Sequence, residues 1–145
     1  MSGAAPRLDI QRASRAAHIP DDRHLRRWAR AALRVPARVT LRVVAETEAR
    51  RLNREFRGRD YATNVLTFVY GKEGGVLCGD VVVCAPVVAR EAREQGKSAR
   101  AHYAHLVVHG LLHLQGEDHE DEGEASRMER RERRILAALG FADPY

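Results

Sequence analysis

Long apolar runs are absent from this sequence, and no stretch approaches the ~20 apolar residues that a membrane-spanning helix needs. Residues 1–15 also lack the apolar centre of a secretory signal peptide, and Asp9 lies among their basic residues. These two absences argue against membrane insertion and against secretion. We therefore expect a cytoplasmic protein that has no membrane partner.

Cysteine is scarce, with two in 145 residues. Cys78 and Cys84 are six positions apart in a strand-like run, where an extended chain would separate them by roughly 20 Å on one face. Such a pair can neither form a disulfide nor share a metal ion. We expect both to be small buried side chains in a protein of a reducing compartment.

Internal repeats and low-complexity linkers are also absent, so nothing in the sequence marks a domain boundary. A chain of 145 residues with 44% hydrophobic content can bury a core of its own without disulfides. The sequence therefore predicts a single domain over residues 1–145, with residues 1–5 disordered.

Charge is unevenly distributed along the chain. The formal net charge is +5, but residues 1–60 contain 15 Lys or Arg against 7 Asp or Glu, whereas residues 61–145 contain 10 against 13. A basic region favours a polyanionic partner, because Arg and Lys supply most of the sequence-independent affinity for nucleic acid. Coding bias is the competing explanation, since only Lys72 and Lys97 among the 25 basic residues are lysines.

Hydrophobic periodicity predicts a small sheet with helices segregated from it, which is the α+β class. Alternation favours strands at residues 7–13 and 39–45, and two β-branched runs at 64–70 and 76–84, separated by glycines, predict a hairpin. Helical spacing and capping residues predict five helices. The first follows Asp21, the second starts at Thr47, the third runs from Pro86 to about residue 95, and the last two span 99–114 and 124–139.

The segment most informative about chemistry starts at His109 and reads HGLLHLQGEDH. Histidines four apart on a helix share one face, so His109 and His113 can reach one ion. Gly116 can end the helix in the left-handed conformation and turn the chain back, which brings His119 towards the same point. Three imidazoles around one zinc ion leave a fourth position open for water, as in a catalytic site. The competing explanation is a group of core or surface histidines that are close only in sequence.

Neighbouring polar residues are expected to have smaller roles. His105 would support the ligands or pack beside them, and His102 would be exposed. Glu117 and Asp118 could accept a proton or orient a ligand imidazole, although solvated loop acids are the more common case. The acidic residues at 120–124 suit the start of a helix, where carboxylates favour the dipole, and the charged run at 130–134 predicts a solvated helix face.

The histidine spacing also matches the zinc signature of metzincin proteases, which place a glutamate directly after the first histidine as general base. In this chain that position is Gly110, which cannot accept a proton. Met128 is a poor candidate for the methionine turn of those enzymes, because it has helical spacing with Ile135 and fits a core position. Peptide hydrolysis by that mechanism is therefore disfavoured.

With these segments in place, the chain resembles the YbeY family of metal-dependent bacterial endoribonucleases. Besides the histidine motif, the resemblance rests on LNREFRGRD at 52–60, ATNVLTF at 62–68, Gly79-Asp80, and the residues at 101–108 that lead into His109. It spans about residues 40–135. Asn64 and Val69 stand where many members have Asp and Pro, and neither position is an expected metal ligand.

The resemblance implies one YbeY-like α+β domain, with a small mixed sheet, helices packed around it and the metal in a cleft. It implies a single-strand-specific endoribonuclease that processes ribosomal RNA at the 3′ end of the small-subunit RNA and acts in ribosome quality control. The implied partners are ribosomal RNA and the small ribosomal subunit, and no DNA is expected. His109, His113 and His119 match the family's metal ligands, Arg57 matches its critical arginine, and His109 is also implicated in activity.

One zinc ion and Arg57 suit phosphodiester chemistry. Zinc lowers the pKa of a bound water towards ~7 and polarises phosphoryl oxygens, and a guanidinium pairs bidentately with non-bridging oxygens. Imidazole sites also accept nickel, copper or iron. Two alternatives stay open. One is an RNA-binding ribosome-assembly factor with a structural metal, in which Asp118 or His105 supplies a fourth ligand. The other, with less support, is a zinc hydrolase of the metalloprotease type.

Overall fold

The computed structural model of the chain describes residues 7–117 and 121–145, which form five helices and four strands. In chain order these are β1 (Arg7–Ala13), α1 (Asp22–Ala32), β2 (Ala37–Val44), α2 (Glu46–Arg57), β3 (Val65–Glu73), β4 (Val76–Cys84), α3 (Ala85–Glu94), α4 (Ala99–Leu114) and α5 (Glu122–Ala138). The number and order of the expected elements are confirmed. Within the two described stretches, no helix combines the length and the apolar character of a membrane span.

The four strands form one mixed sheet in the order β1-β2-β4-β3. Strands β1, β2 and β4 are parallel, and β3 runs antiparallel to β4. The β3–β4 hairpin turns at Gly74 and Gly75, whose φ values of 59° and 80° lie in the left-handed region that this tight turn requires. The predicted α+β class, with a small mixed sheet and five helices, is confirmed.

Each face of the sheet packs against a separate cluster of buried apolar side chains. On one face, the alternating β2 side chains Val39, Leu41 and Val43 join the larger core with residues of α1, α4 and α5. On the other face, Val44 joins a smaller cluster under α2 and α3 that includes Leu66, Val82, Ala49, Val87 and Cys84. Cys84 is buried as expected, and Cys78 is half-buried. The sheet is therefore covered on both sides, with α4 at the centre of the larger core.

Two glycines allow α4 to lie unusually close to the sheet. A Cβ atom at Gly110 of α4 would be 2.7 Å from Cγ1 of Val81, and one at Gly79 of β4 would be 2.6 Å from Cδ1 of Leu114. Real Cβ atoms essentially never approach other heavy atoms that closely. The depth at which α4 packs therefore depends on the absence of a side chain at these two positions.

The end of α4 is tied to α1 by Gln115. Its side-chain Nε2 donates to the carbonyl of Ala32 at 2.8 Å and to that of Leu111 at 2.9 Å. Its Oε1 accepts from the amide of Arg34 at 2.8 Å. Because these bonds satisfy main-chain groups at the ends of two helices, the segment after α4 leaves from a fixed point.

We predict that Gly110→Ala destabilises the protein, although alanine normally favours a helix interior over glycine. The added methyl must displace Val81, and overpacking of this kind costs about 1–3 kcal/mol of unfolding free energy. Urea denaturation would measure the loss. The control is Gly123→Ala in the exposed first turn of α5, where the new methyl would lie 3.3 Å from Oδ1 of the capping residue Asp121 and stability should change much less. Equal effects of the two substitutions would contradict the packing argument.

Candidate active site

Three histidine side chains project from one side of α4, each about one helical turn after the last. His105, His109 and His113 follow one another along one side of the helix, and neighbouring ring centroids are 6.3 Å and 6.5 Å apart. The rings of His109 and His113 are nearly parallel, with an interplanar angle of 3°. This is the arrangement that the four-residue spacing predicted, and it allows these two imidazoles to approach a common point.

The Nδ1 atoms of both rings face hydrogen-bond acceptors. His113 Nδ1 lies 3.0 Å from the main-chain carbonyl oxygen of Glu117, and His109 Nδ1 lies 2.5 Å from Oε1 of Glu132. A carbonyl and a carboxylate can only accept, so Nδ1 carries the proton in each ring. That tautomer makes Nε2 the basic nitrogen, which is the atom each ring would present to a metal ion.

Glu132 of α5 is a residue that the sequence analysis missed. The charged run at 130–134 predicted a solvated helix face, and this is wrong for Glu132, whose side chain is 0% exposed. A signal was available, because position 132 lies four residues after Met128 and four before Leu136, on the buried stripe of α5. A carboxylate on an apolar stripe needs partners, and here they are histidines of α4.

The carboxylate of Glu132 contacts three hydrogen-bonding groups. Besides His109, its Oε2 lies 3.1 Å from His105 Nε2 and accepts from the hydroxyl of Tyr145. Burial by itself raises the pKa of Glu132, but the hydrogen bonds from His105 and His109 outweigh it and lower the pKa to about 2. Glu132 is therefore ionised at neutral pH, and His105 has the supporting position that we expected.

Glu117 acts through its backbone. Its carbonyl oxygen holds His113, whereas its carboxylate forms an ion pair with Arg131 of α5. The turn that places this carbonyl follows Gly116, whose φ of 97° requires glycine. The predicted orienting role at position 117 is thus performed by a main-chain atom.

His119, the third predicted metal ligand, lies outside the described residues, and so does Asp118. Among residues 7–117 and 121–145, no group of three or more His, Cys, Asp or Glu side chains is arranged to hold a metal ion. The zinc site therefore stays a prediction. The donors that are described fit it, because both imidazoles are held at Nδ1 by a partner outside the ring.

His102 is buried, and the expectation that it would be exposed is wrong. Its side chain is 3% exposed, and its Nε2 lies 2.9 Å from Oε1 of Glu91. The same carboxylate accepts from Nδ2 of Asn64 at 3.0 Å. Burial lowers the pKa of His102, and the hydrogen bond with Glu91 only partly opposes that effect. Glu91 of α3 therefore links His102 in the first half of α4 to Asn64, which directly precedes β3.

Arg57 reaches the same pocket from the end of α2, where Gly58 terminates the helix at a left-handed φ of 70°. Its Nη2 donates to the carbonyl of Thr67 at 2.6 Å, and its guanidinium lies 4.9 Å from the centre of the Phe68 ring. Arg57, His109 and His113 line one cavity of about 240 Å³, together with Asn64, Val65, Leu66 and Thr67. The structure thus brings together three of the four predicted site residues.

A larger cavity of about 520 Å³ adjoins this one at Arg57 and follows the sheet face towards β2. Its walls include the aromatic side chains of Phe56 and Tyr70, which are 58% and 68% exposed. The hydroxyl of Tyr70 donates to Asp80 at 2.6 Å, and this bond is the main cause that raises the pKa of Tyr70 to about 12. Arg57 therefore stands between a histidine-lined pocket and an aromatic groove.

The fold and this pocket define a class: a small α+β domain in which paired helix histidines and an arginine share one cavity beside a mixed sheet. The family model for Endoribonuclease YbeY matches residues 10–140 of the chain. The chain belongs to the endoribonuclease YbeY family, and the resemblance inferred from its motifs is confirmed.

Similar proteins agree with this assignment. The chain is 60% identical to an Endoribonuclease YbeY of Aromatoleum aromaticum, with 95% of this chain and 91% of the relative covered. It is 58% identical to one of Azoarcus sp., of whose length the match spans 59%. The solution structure of a Thermotoga maritima protein aligns with a TM-score of 0.57 over 94% of this chain and 97% of that one. At 24% identity, that likeness supports the fold alone.

We predict that His102 makes the protein less stable in mild acid. The unfolded chain takes up a proton near the ordinary pKa of 6.5, whereas the folded chain resists it, so the unfolding free energy falls as pH drops below 6.5. Urea denaturation from pH 8 to pH 5 with a chelator present would show a smaller drop for His102→Gln than for wild type. The control is His18→Asn, an exposed residue at a φ of 66° that asparagine tolerates. A drop of the same size in both variants would exclude His102 as the cause.

Proposed function

We propose that this chain is a zinc-dependent, single-strand-specific endoribonuclease of ribosomal RNA processing. Membership of the family supports an endoribonuclease, which is a hydrolase that acts on RNA. The observation that carries the finer proposal is the cavity in which Arg57, His109 and His113 meet. It combines nitrogen ligands for a metal with a guanidinium for a phosphate.

Arg57 is the phosphate-binding group in this proposal. Two of its N–H groups bond the carbonyls of Phe56 and Thr67, which fixes the guanidinium at the cavity wall. A planar guanidinium has five N–H donors and pairs with two non-bridging oxygens at once. Placed there, it stabilises the charge that builds on the phosphoryl oxygens during cleavage.

His109, His113 and His119 are the proposed ligands of one zinc ion. When bound, zinc would supply a Lewis acid for the phosphate and an activated water near neutral pH. The residues of the chain prepare this site by fixing the ring tautomers through the Glu117 carbonyl and the Glu132 carboxylate. Nickel, copper or iron would suit the same imidazoles.

The structure disfavours the metalloprotease alternative more strongly than the sequence did. A glutamate base would have to replace Gly110, where even a Cβ atom would collide with Val81. The helix could not keep its present depth and carry that side chain. A metal-assisted reaction on a phosphodiester needs no carboxylate at this position, which supports the proposal.

Single-strand specificity is supported by the aromatic groove beside Arg57. Exposed Phe56 and Tyr70 offer faces on which unpaired bases can stack, a common mode of single-strand recognition. Bases within a duplex are not available for such stacking. The action at the 3′ end of the small-subunit RNA, the role in ribosome quality control, the small subunit as partner and the cytoplasmic location rest on the family resemblance.

We predict that cleavage requires both Arg57 and His109. The substrate would be a labelled RNA carrying the small-subunit 3′ end, offered alone and annealed to a complementary strand. Arg57→Ala should slow cleavage of the unpaired form by about 10²–10³-fold through loss of charge stabilisation, and His109→Ala should reduce cleavage to background. Arg54→Ala, an exposed arginine of the same helix that pairs with Asp60, should cleave at nearly the wild-type rate. Equal rates for the Arg57 and Arg54 variants would contradict the assigned role.

We predict that metal removal abolishes cleavage and leaves the fold intact. The core under α4 is an apolar cluster that draws on several helices and strands of the described residues, so we expect the fold to survive without an ion. Chelator-treated protein should keep its circular dichroism spectrum and its RNA affinity, and zinc should restore cleavage. Unfolding on chelation would favour the alternative of an assembly factor with a structural metal, and so would RNA binding without cleavage by the folded, zinc-loaded protein.

A further inference from the structure

We propose that Glu132 is a positioning residue that holds His109 in its metal-binding orientation, and that Tyr145 and His105 hold Glu132. The inference rests on the proposed function, because it assumes that His109 presents Nε2 to a metal ion. It concerns Glu132 of α5, Tyr145 after that helix and His105 of α4, all of which lie outside the motif at 109–119.

The two carboxylate oxygens of Glu132 have different partners. Oε1 is 2.5 Å from Nδ1 of His109, and Oε2 contacts Nε2 of His105 and the hydroxyl of Tyr145. Oε1 thus contacts the proposed metal ligand His109, while Oε2 is contacted by both His105 and Tyr145. A carboxylate bonded to Nδ1–H of a ligand histidine fixes the ring orientation and makes Nε2 a stronger donor.

The segment after α5 is folded back to deliver Tyr145 to this point. Lys97 Nζ donates to the carbonyl of Pro144 at 3.1 Å, and Arg133 Nε bonds Asp143 at 3.0 Å. The Tyr145 amide also donates to Asp143 at 2.9 Å, and its ring meets the His105 ring edge-on at 5.3 Å. These contacts place the Tyr145 hydroxyl where it donates a hydrogen bond to the buried carboxylate of Glu132.

His109 and His113 differ in how they are held. The acceptor for His113 is a main-chain carbonyl that survives any substitution at position 117, whereas the acceptor for His109 is a side chain. The geometry of the first ligand therefore depends on α5, and it can be tested by a single conservative change at position 132.

The test compares Glu132→Gln with Glu94→Gln, which removes the same charge from an exposed helical site. Nitrogen-15 NMR of the imidazoles in metal-free protein at pH 8.5 would report the His109 tautomer. We expect the Nδ1–H form in wild type and in Glu94→Gln, and a mixture with the Nε2–H form in Glu132→Gln. Zinc affinity, measured by competition with a chromophoric chelator, should fall about 10–100-fold in Glu132→Gln alone.

A second variant keeps the test decisive if Glu132→Gln does not fold. Tyr145→Phe removes one hydroxyl from a half-exposed ring, so the fold should survive, and a smaller loss of zinc affinity with partial mixing of the His109 tautomers is expected. Unchanged tautomer and unchanged zinc affinity in the folded variants would overturn the proposal. If wild type binds no zinc, the proposed metal function fails, whereas the tautomer measurement still decides whether Glu132 positions His109.

Discussion

The close approach of α4 to the sheet is the constraint on which the site depends. Gly110 lets the helix lie against Val81, and Gly79 gives the same room to Leu114. At this depth α4 is buried on nearly every side, between α1, α3, α5 and two strands. Tight packing of this kind leaves a helix little freedom to rotate or slide, so the histidines that leave it on one side have fixed starting points.

The chemistry of these histidines is completed from outside the helix. The segment that follows Gly116 supplies a main-chain carbonyl to His113, and α5 supplies the carboxylate of Glu132 to His109. Both partners bond Nδ1, so both rings present the same nitrogen to the cavity. A main-chain atom within the motif and a side chain of α5 outside it thereby decide which atoms of His109 and His113 can bind a metal.

The same glycine that sets the helix depth also separates this site from a protease site. A side chain at position 110 would require Val81 or α4 itself to shift, and any shift of α4 would carry its histidines with it. The close packing of α4 on Val81 is therefore incompatible with the glutamate that the protease signature places at position 110. The arginine at the end of α2 then gives the cavity a group suited to phosphate, because Gly58 ends that helix just where Arg57 can bond the β3 backbone.

The sequence by itself determined the secondary elements, the α+β class, the pairing of His109 with His113 and the family. The elements, the class and the histidine pairing follow from local periodicity and spacing, which act over a few residues. The family follows from the resemblance of several motifs taken together. Only the tertiary structure decided that Glu132 and His102 are buried. The local sequence cannot show which polar residue of a helix faces another helix that is distant in the chain. It also decided that Arg57, 52 positions before His109 in the sequence, shares a cavity with the histidines, because tertiary packing brings the end of α2 and the side of α4 to one pocket.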